Sequence, residues 1–181
     1  SWGKPGVWFT NYSGIAYSDD NGRTWTKDAN TRWENSGTWT DHFQMAALAR
    51  DGGYIYMFTT PNGRFGSAYV ARVPEDKLLD KTNYAYWDGK EWQANTPEAA
   101  APIVDAPVSE MSVAYNRFFR RWLMISLDHN RAEILLREAS QPTGPWSQPI
   151  TLLSGVQYPG LYGGFIHPWS LDGPDLYLTM S

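Results

Sequence analysis

The sequence predicts an all-β chain assembled from four-stranded β-propeller blades, and three observations carry that expectation. The first is composition: 10 Trp, 11 Tyr and 7 Phe make 15% of the residues aromatic, beside 16 Gly and 12 Pro. Such a mixture suits short strands separated by tight turns. The second is the lack of helical periodicity: no segment sustains apolar positions at i, i+3, i+4 and i+7 for three turns, and the best candidate, around Pro74 to Asp80, is brief and charged. The third is a repeat of eighteen residues, found at Phe43 to Thr60, Ser109 to Ser126 and Gly164 to Ser181. Each copy reads as strand, turn, strand, and the copies start about one propeller blade apart.

In chain order, Gly14 to Tyr17 reads as a strand, followed by the turn sequence Ser18-Asp19-Asp20-Asn21-Gly22-Arg23-Thr24-Trp25. The first repeat hairpin comes next, then a strand over Ala68 to Val73 and a Gly-to-Trp turn at Asp88-Gly89-Lys90-Glu91-Trp92. The second hairpin is followed in the same way by a strand over Glu133 to Ala139 and by Thr143-Gly144-Pro145-Trp146. These parts divide into a half blade over 1–40, blades over 41–95 and 105–153, and a half blade over 160–181. The total is about three blades, fewer than a closed ring needs. The expectation is therefore a single, incomplete propeller domain whose ring is closed by further blades of the same protein or by a second chain, since an open half blade exposes a sheet edge. Ser1 in place of an initiator methionine also suggests a processed or excised chain. A small β-sandwich is the alternative arrangement of the same strands.

Charge and residue inventory exclude several functions. Fifteen Lys and Arg against nineteen Asp and Glu leave a net charge of −4, which argues against a nucleic-acid partner. Cysteine is absent, so disulfides, thiolate metal sites and a cysteine nucleophile are out of reach. Three histidines show no metal-ligand spacing, and no G-x-S-x-G, P-loop or G-x-G-x-x-G motif is present, so no metal and no cofactor is expected. The apolar runs fall far short of the roughly 18 residues that span a bilayer.

Ser18 to Trp25 fits the pattern S-x-D-x-G-x-T-W at every fixed position, the Asp-box of sialidases and other propellers. Its role is structural: Asp20 accepts from turn amides after Ser18, Gly22 supplies a positive φ, and Trp25 is expected to pack its ring between sheets. Glu110 opens the second hairpin, where an innermost strand directs alternate side chains into a central funnel. It is the leading catalytic candidate as a general acid or base, against the plainer reading of a strand-end carboxylate bound to an arginine. Its counterpart in the first unit is Gln44. Asp41 is the nearest analogous second carboxylate, with Asp105, expected in a loop, as another.

His42 and His167 are candidates for substrate or proton handling, although a lone histidine is more often simply hydrogen-bonded. Arg64 lies between Gly63 and Gly66, where the backbone can turn and deliver a guanidinium to the ring centre for a sugar hydroxyl or a carboxylate. Arg72, Arg121 and Arg137 fall inside strand patterns and read as structural. Tyr158, Tyr162 and Trp169 crowd the last loop and strand; they serve either as a stacking platform for a sugar ring or as ordinary packing.

Several stretches together resemble one family: Asp41-His42-Phe43-Gln44-Met45, Tyr56 to Arg64, Tyr69 to Val73, Tyr84 to Trp87, Ser109 to Val113, Arg121-Trp122, Gly144 to Ser147 and His167-Pro168. In order and spacing they are similar to the bacterial propellers grouped as domain of unknown function 4185, some of which are endo-D-arabinanases of actinobacterial cell-wall arabinan. The resemblance implies a five-bladed ring and a glycoside-hydrolase-type site at the funnel's end. It implies Glu110 as the best-matched catalytic group and Asp41 as the second, with Gln44, Arg64 and His167 lining the funnel. The Asp-box departs from that family's usual pattern and points to a broader sialidase-like relation.

The expected function is therefore hydrolysis of a polysaccharide, most naturally an arabinofuranosyl-containing glycan, by paired carboxylates. Two alternatives stand beside it: a glycan-binding propeller without turnover, and a sialidase-like enzyme, which needs converging arginines and a Tyr–Glu pair. A polysaccharide-facing protein is expected to be secreted or periplasmic.

Overall fold

A computed structural model describes residues 2–4 and 7–181, so Ser1, Pro5 and Gly6 of the expected half blade 1–40 lie outside the described residues. The strands are β1 (Trp2–Lys4), β2 (Val7–Phe9), β3 (Tyr12–Tyr17), β4 (Thr26–Glu34), β5 (Met45–Asp51), β6 (Tyr54–Thr60), β7 (Gly66–Pro74), β8 (Ala85–Trp87), β9 (Trp92–Ala94) and β10 (Val104–Val108). They continue with β11 (Met111–Asn116), β12 (Arg121–Asp128), β13 (Glu133–Ala139), β14 (Ile150–Ser154), β15 (Gly164–Ile166) and β16 (Leu178–Met180). No α-helix occurs among the described residues; the Pro74 to Asp80 candidate contributes a single 3-10 turn, Glu75–Lys77.

All pairings are antiparallel. β11-β12-β13-β14 form a four-stranded meander, and β5-β6-β7-β8-β9 form a longer one. β8 occupies the Ala71–Arg72 stretch of one β7 edge, and β10 pairs with Gly66 and Ala68. Asp105, expected in a loop, thus lies in a strand, and that strand belongs to the first large sheet rather than the second. The hairpins β3-β4 and β15-β16 flank the two large sheets, and β1-β2 make a further pair.

Side-chain alternation explains the stacking. Along β6, Tyr56 and Phe58 face one core with Trp122 and Met124 of β12, while Met57 faces a second core with Trp33, Phe43, Tyr84 and Tyr86. Along β12, Ile125 and Leu127 turn the other way, onto Ile134 and the partly buried Ile166 and Leu178 of the last hairpin. Because consecutive strand residues point to opposite faces, each large sheet buries both sides. The sheets follow one another face to face, in the manner of propeller blades.

The first two repeat units share one register: Met45 faces Thr60, and Met111 faces Ser126. The third departs from it, pairing Gly164 with Met180 and Ile166 with Leu178. Between its short strands the chain makes the 3-10 turn Pro168–Ser170. Asn116 fixes this detour by donating to the carbonyls of Ser170 and Gly173, and the Ser170 hydroxyl bridges both backbone groups of Tyr177. Prolines here remove ladder donors, so a continuous hairpin gives way to a side-chain-stapled loop.

The Asp-box forms the expected turn. Asp20 accepts from the Thr24 amide at 2.9 Å and the Thr24 hydroxyl at 2.7 Å; the Ser18 hydroxyl donates to Asp20 and accepts from the Gly22 amide. Gly22 has φ +83°. The Thr24 and Ser18 donors hold the Asp20 carboxyl down to about 2. Trp25 corrects the expectation: it is 65% exposed rather than packed between sheets. Its ring folds back over its own turn, where Nε1 donates to the Gly22 carbonyl at 3.1 Å, so the indole N–H finds a partner without entering a core.

Candidate functional site

β5 and β11 begin at the same end of their hairpins, and β6 and β12 finish there. The segments 61–65, 109–110 and 129–132 therefore share one end of the stacked sheets. Glu110, immediately before β11, is the centre of the polar cluster at that end. Arg64 Nε donates to Glu110 Oε1 at 2.9 Å, and the Tyr162 hydroxyl donates to the same oxygen at 2.8 Å. The Ser109 hydroxyl donates to Oε2. The Arg64 and Glu110 side chains are only 13% and 11% exposed.

Arg64 is held from several directions. Its guanidinium carbon lies 4.7 Å from the centre of the Tyr162 ring and 5.0 Å from that of Trp8. Its Nη1 donates to His129 Nδ1 at 3.4 Å, and the His129 ring in turn meets Phe65 edge-on at 5.4 Å. Such aromatic faces stabilise a guanidinium that cannot give up its proton. Burial alone pushes the Glu110 carboxyl up, but hydrogen bonds from Ser109, its own backbone, Tyr162 and Arg64 outweigh burial and hold it below the usual carboxylate range. At neutral pH the group is a carboxylate and acts as a hydrogen-bond acceptor.

Beside Glu110 lies a cavity of about 140 Å³ lined by Met45, Ala46, Thr60, Ser109, Met111 and Phe165. The Thr60 hydroxyl is buried and has no hydrogen-bond partner among the described residues. That oxygen is itself sealed from solvent, so it is an unsatisfied group inside the strand end and not part of the cavity's accessible surface. Gln44, the repeat counterpart of Glu110, has its amide committed within the fold: it accepts from the Thr10 hydroxyl at 2.7 Å and donates to the carbonyls of Trp33 and Glu34.

Asp41 and His42 line a different and larger cavity at this end, of about 370 Å³, together with Trp33, Glu34, Phe43, Lys81 and Glu98. Asp41 accepts from the Ser36 amide at 2.6 Å. His42 stacks on Tyr69 with centroids 3.9 Å apart; burial pushes its pKa below the ordinary value against the upward pull of Asp41. Glu110 and Asp41 therefore face separate cavities, and no second carboxylate contacts Glu110 among the described residues.

His167 caps the last 3-10 turn by accepting from the Trp169 amide at Nδ1, and its ring meets Trp169 at 4.6 Å. Trp169 is exposed and meets Tyr177 edge-on. These rings form a cluster distinct from the Glu110 contacts. Of the strand arginines, Arg72 lies between Tyr54 and Trp92, while Arg137 is half-buried with Nη1 unpartnered among the described residues.

The structure thus brings together Glu110, Arg64 and Tyr162 from the sequence candidates and adds Ser109, Thr60, His129 and Trp8. His129 had a readable signal, because it ends the hairpin that Glu110 begins. Trp8 had none, since only the docking of β2 brings it to Arg64.

An all-β chain of successive antiparallel sheets, with an ionised carboxylate clamped by arginine and tyrosine at one end, defines a propeller-type protein with a polar end-face site. The family model for "Domain of unknown function (DUF4185)" matches residues 1–181, and the chain belongs to that family. It is 40% identical to Notoamide biosynthesis cluster protein J of Aspergillus sp. (strain MF297-2) over 181 residues, covering 96% of this chain and 48% of the relative. It is 39% identical to Notoamide biosynthesis cluster protein J' of Aspergillus versicolor, covering 96% of this chain and 49% of the relative. The chain spans about half the length of these curated relatives. A solved Bacteroides ovatus protein provisionally described as a hydrolase shares the fold, with a TM-score of 0.52 and 19% identity, over 83% of this chain and 40% of that one.

Proposed function

We propose that the protein is a glycoside hydrolase whose proton-accepting group is Glu110, acting on an arabinofuranosyl-containing glycan. The observation that carries the reading is the largely buried Glu110 carboxylate, kept ionised by Ser109, Tyr162 and Arg64 and lining a cavity at the end of the sheets. A carboxylate that stays ionised at neutral pH accepts hydrogen bonds from ligand hydroxyls, and the adjoining cavity leaves room for one. Membership of the family and the fold shared with a protein described as a hydrolase support the same class. The arabinan substrate rests on the resemblance of Asp41 to Met45 and Ser109 to Val113 to arabinan-cleaving propellers.

A second reading is favoured by the 370 Å³ cavity at Asp41 and His42 and by the names of the fungal relatives. That cavity falls in the size range of small-molecule sites, so the substrate is then a compact molecule rather than a polymer. The deciding experiment measures reducing-end release from mycobacterial arabinogalactan, plant arabinan and aryl arabinofuranosides, with wild-type protein beside Glu110→Gln. Release that disappears in the variant supports the first reading. Cleavage of the aryl glycosides alone supports the second. Saturable glycan binding without release overturns the hydrolase assignment in favour of a lectin.

A further inference from the structure

We propose that the tip of the hairpin formed by β11 and β12, Arg117 to Arg121, docks this protein on an anionic lipid surface. Phe118 and Phe119 enter the headgroup layer, and Arg120 and Arg121 face the lipid phosphates. Glu110 immediately precedes β11 and the tip follows it, so the 6-residue strand separates them by about 20 Å. The tip is therefore a surface distinct from the polar cluster described above.

The first repeat unit shows how little this turn requires. Gly52 and Gly53 join β5 to β6 there, both at positive φ, and the shared register puts Phe118 and Phe119 at the equivalent positions. The second turn takes its positive φ at Arg120 instead, so its geometry asks for no bulky apolar side chain at either phenylalanine. Yet Phe118 is 57% exposed and Phe119 49%, and the two rings meet edge-on with centroids 5.0 Å apart. Neither ring belongs to any of the three cores, and paired exposed aromatics on a protruding turn mark a contact surface.

The tip is held rigidly. Asn116 Oδ1 accepts from the Phe119 amide at 2.7 Å, its Nδ2 donates to the carbonyls of Ser170 and Gly173, and the Arg117 amide donates to the Leu171 carbonyl at 2.7 Å. Little ordering is left to be done on binding. The loop stapled to the base of the tip adds two exposed rings, Trp169 and Tyr177, residue types that favour the boundary between membrane and water. Charge selects the kind of surface. Arg117 is answered by Asp172 and, at longer range, by Asp51. Arg120 and Arg121 are exposed and form no ion pair among the described residues. On a chain of net charge −4, these two cations turn the tip, rather than an acidic face, toward an anionic membrane. The phenylalanines offer a sugar no hydrogen bond, whereas guanidiniums beside apolar rings match phosphates above acyl chains.

The test is co-sedimentation with vesicles of phosphatidylcholine and phosphatidylserine in equal parts, beside vesicles of phosphatidylcholine alone. Wild-type protein is expected to bind the anionic vesicles about tenfold more tightly than the neutral ones, and less so as salt is raised. Phe118→Ser combined with Phe119→Ser should lose about tenfold or more in affinity for the anionic vesicles at an unchanged melting temperature. Arg120→Gln combined with Arg121→Gln should remove the preference for anionic lipid. Val156 is the control: it is 93% exposed and follows Gly155, whose amide donates to the Ala132 carbonyl at the Glu110 end. Val156→Ser should bind both vesicles as the wild type does. Wild-type protein that stays in the supernatant with anionic vesicles at low ionic strength overturns the proposal, as does undiminished binding by the double phenylalanine variant. Binding to soluble arabinan that this variant loses, without vesicle binding, overturns it in favour of a glycan platform. A dimer in sedimentation velocity that the same substitutions dissolve, without vesicle binding, overturns it in favour of a second copy of the chain. No arm reads turnover, so the result is independent of the hydrolase reading.

Discussion

Arg64 Nε and Glu110 Oε1 meet at 2.9 Å, joining the loop after β6 to the start of β11 across the gap between the two large sheets. With side chains 13% and 11% exposed, neither charge can rely on solvent if the other is removed. Arg64→Met is therefore expected to destabilise the fold by about 2–4 kcal/mol, because it leaves a covered carboxylate unpaired. Glu110→Gln, which keeps the shape and most of the hydrogen bonds, should cost less. Urea unfolding of the two variants beside the wild type checks the order.

The same pair predicts a pH dependence. The folded-state pKa of Glu110 lies below its ordinary 4.5, so its contribution is complete above about pH 4.5 and is lost as pH falls through the lower folded value. Between pH 5 and pH 3 the wild type should lose more stability than Glu110→Gln, which has no proton to take up there. Parallel slopes for the two proteins in denaturant titrations would remove the linkage.

Asp20 offers a sharper number. A carbon-13 carboxyl titration should find its midpoint at about 2, and Thr24→Val should move it toward 3.8, since that hydroxyl is among the donors holding the charge. A wild-type midpoint near 3.8 would show that the Asp-box turn does not form in solution.

Two tryptophans should behave oppositely. Trp122 is 2% exposed and touches Tyr56, Phe58 and Tyr115, so Trp122→Ala is expected to cost about 3–5 kcal/mol. Trp25 keeps most of its surface in water, and Trp25→Ala should cost about 1 kcal/mol or less. Thermal unfolding of both variants compares them directly.

Gly164 marks where the last hairpin docks on the second large sheet. A Cβ there would meet Ile134 Cγ2 at 2.9 Å and Ile125 Cγ2 at 3.0 Å. These methyls sit on stiff β-branched side chains, so neither can swing aside. Gly164→Ala is expected to cost about 1–3 kcal/mol through overpacking, read as a drop in melting temperature.

Local chemistry made much of the fold legible in the sequence. Continuous apolar runs at Tyr54 to Phe58 and Trp122 to Ile125 mark strands buried on both faces, because alternate side chains point to opposite sides and both sides meet a core. Gly22 and Asp20 mark their turn because the turn's own amides and positive φ demand them. The third repeat looked like the others but folded differently, since the staple from Asn116 to Ser170 and Gly173 is set by a residue on another hairpin. Trp25 went astray for a related reason: sequence registers a large ring but not which surface it meets.

Glu110, Arg64 and Tyr162 could each be singled out as residue types that perform chemistry, and the repeat placed Glu110 at a strand start. Their convergence on one oxygen depends on contacts 46 and 52 positions apart, decided by how whole sheets stack. The separation of Asp41 from Glu110 into different cavities is likewise a tertiary outcome. The strand and turn vocabulary and the candidate groups are readable from the chain, because period and turn chemistry are local. Tertiary structure alone decided which groups share a carboxylate and which remain exposed, because burial and pairing belong to surfaces that exist only once the sheets have packed.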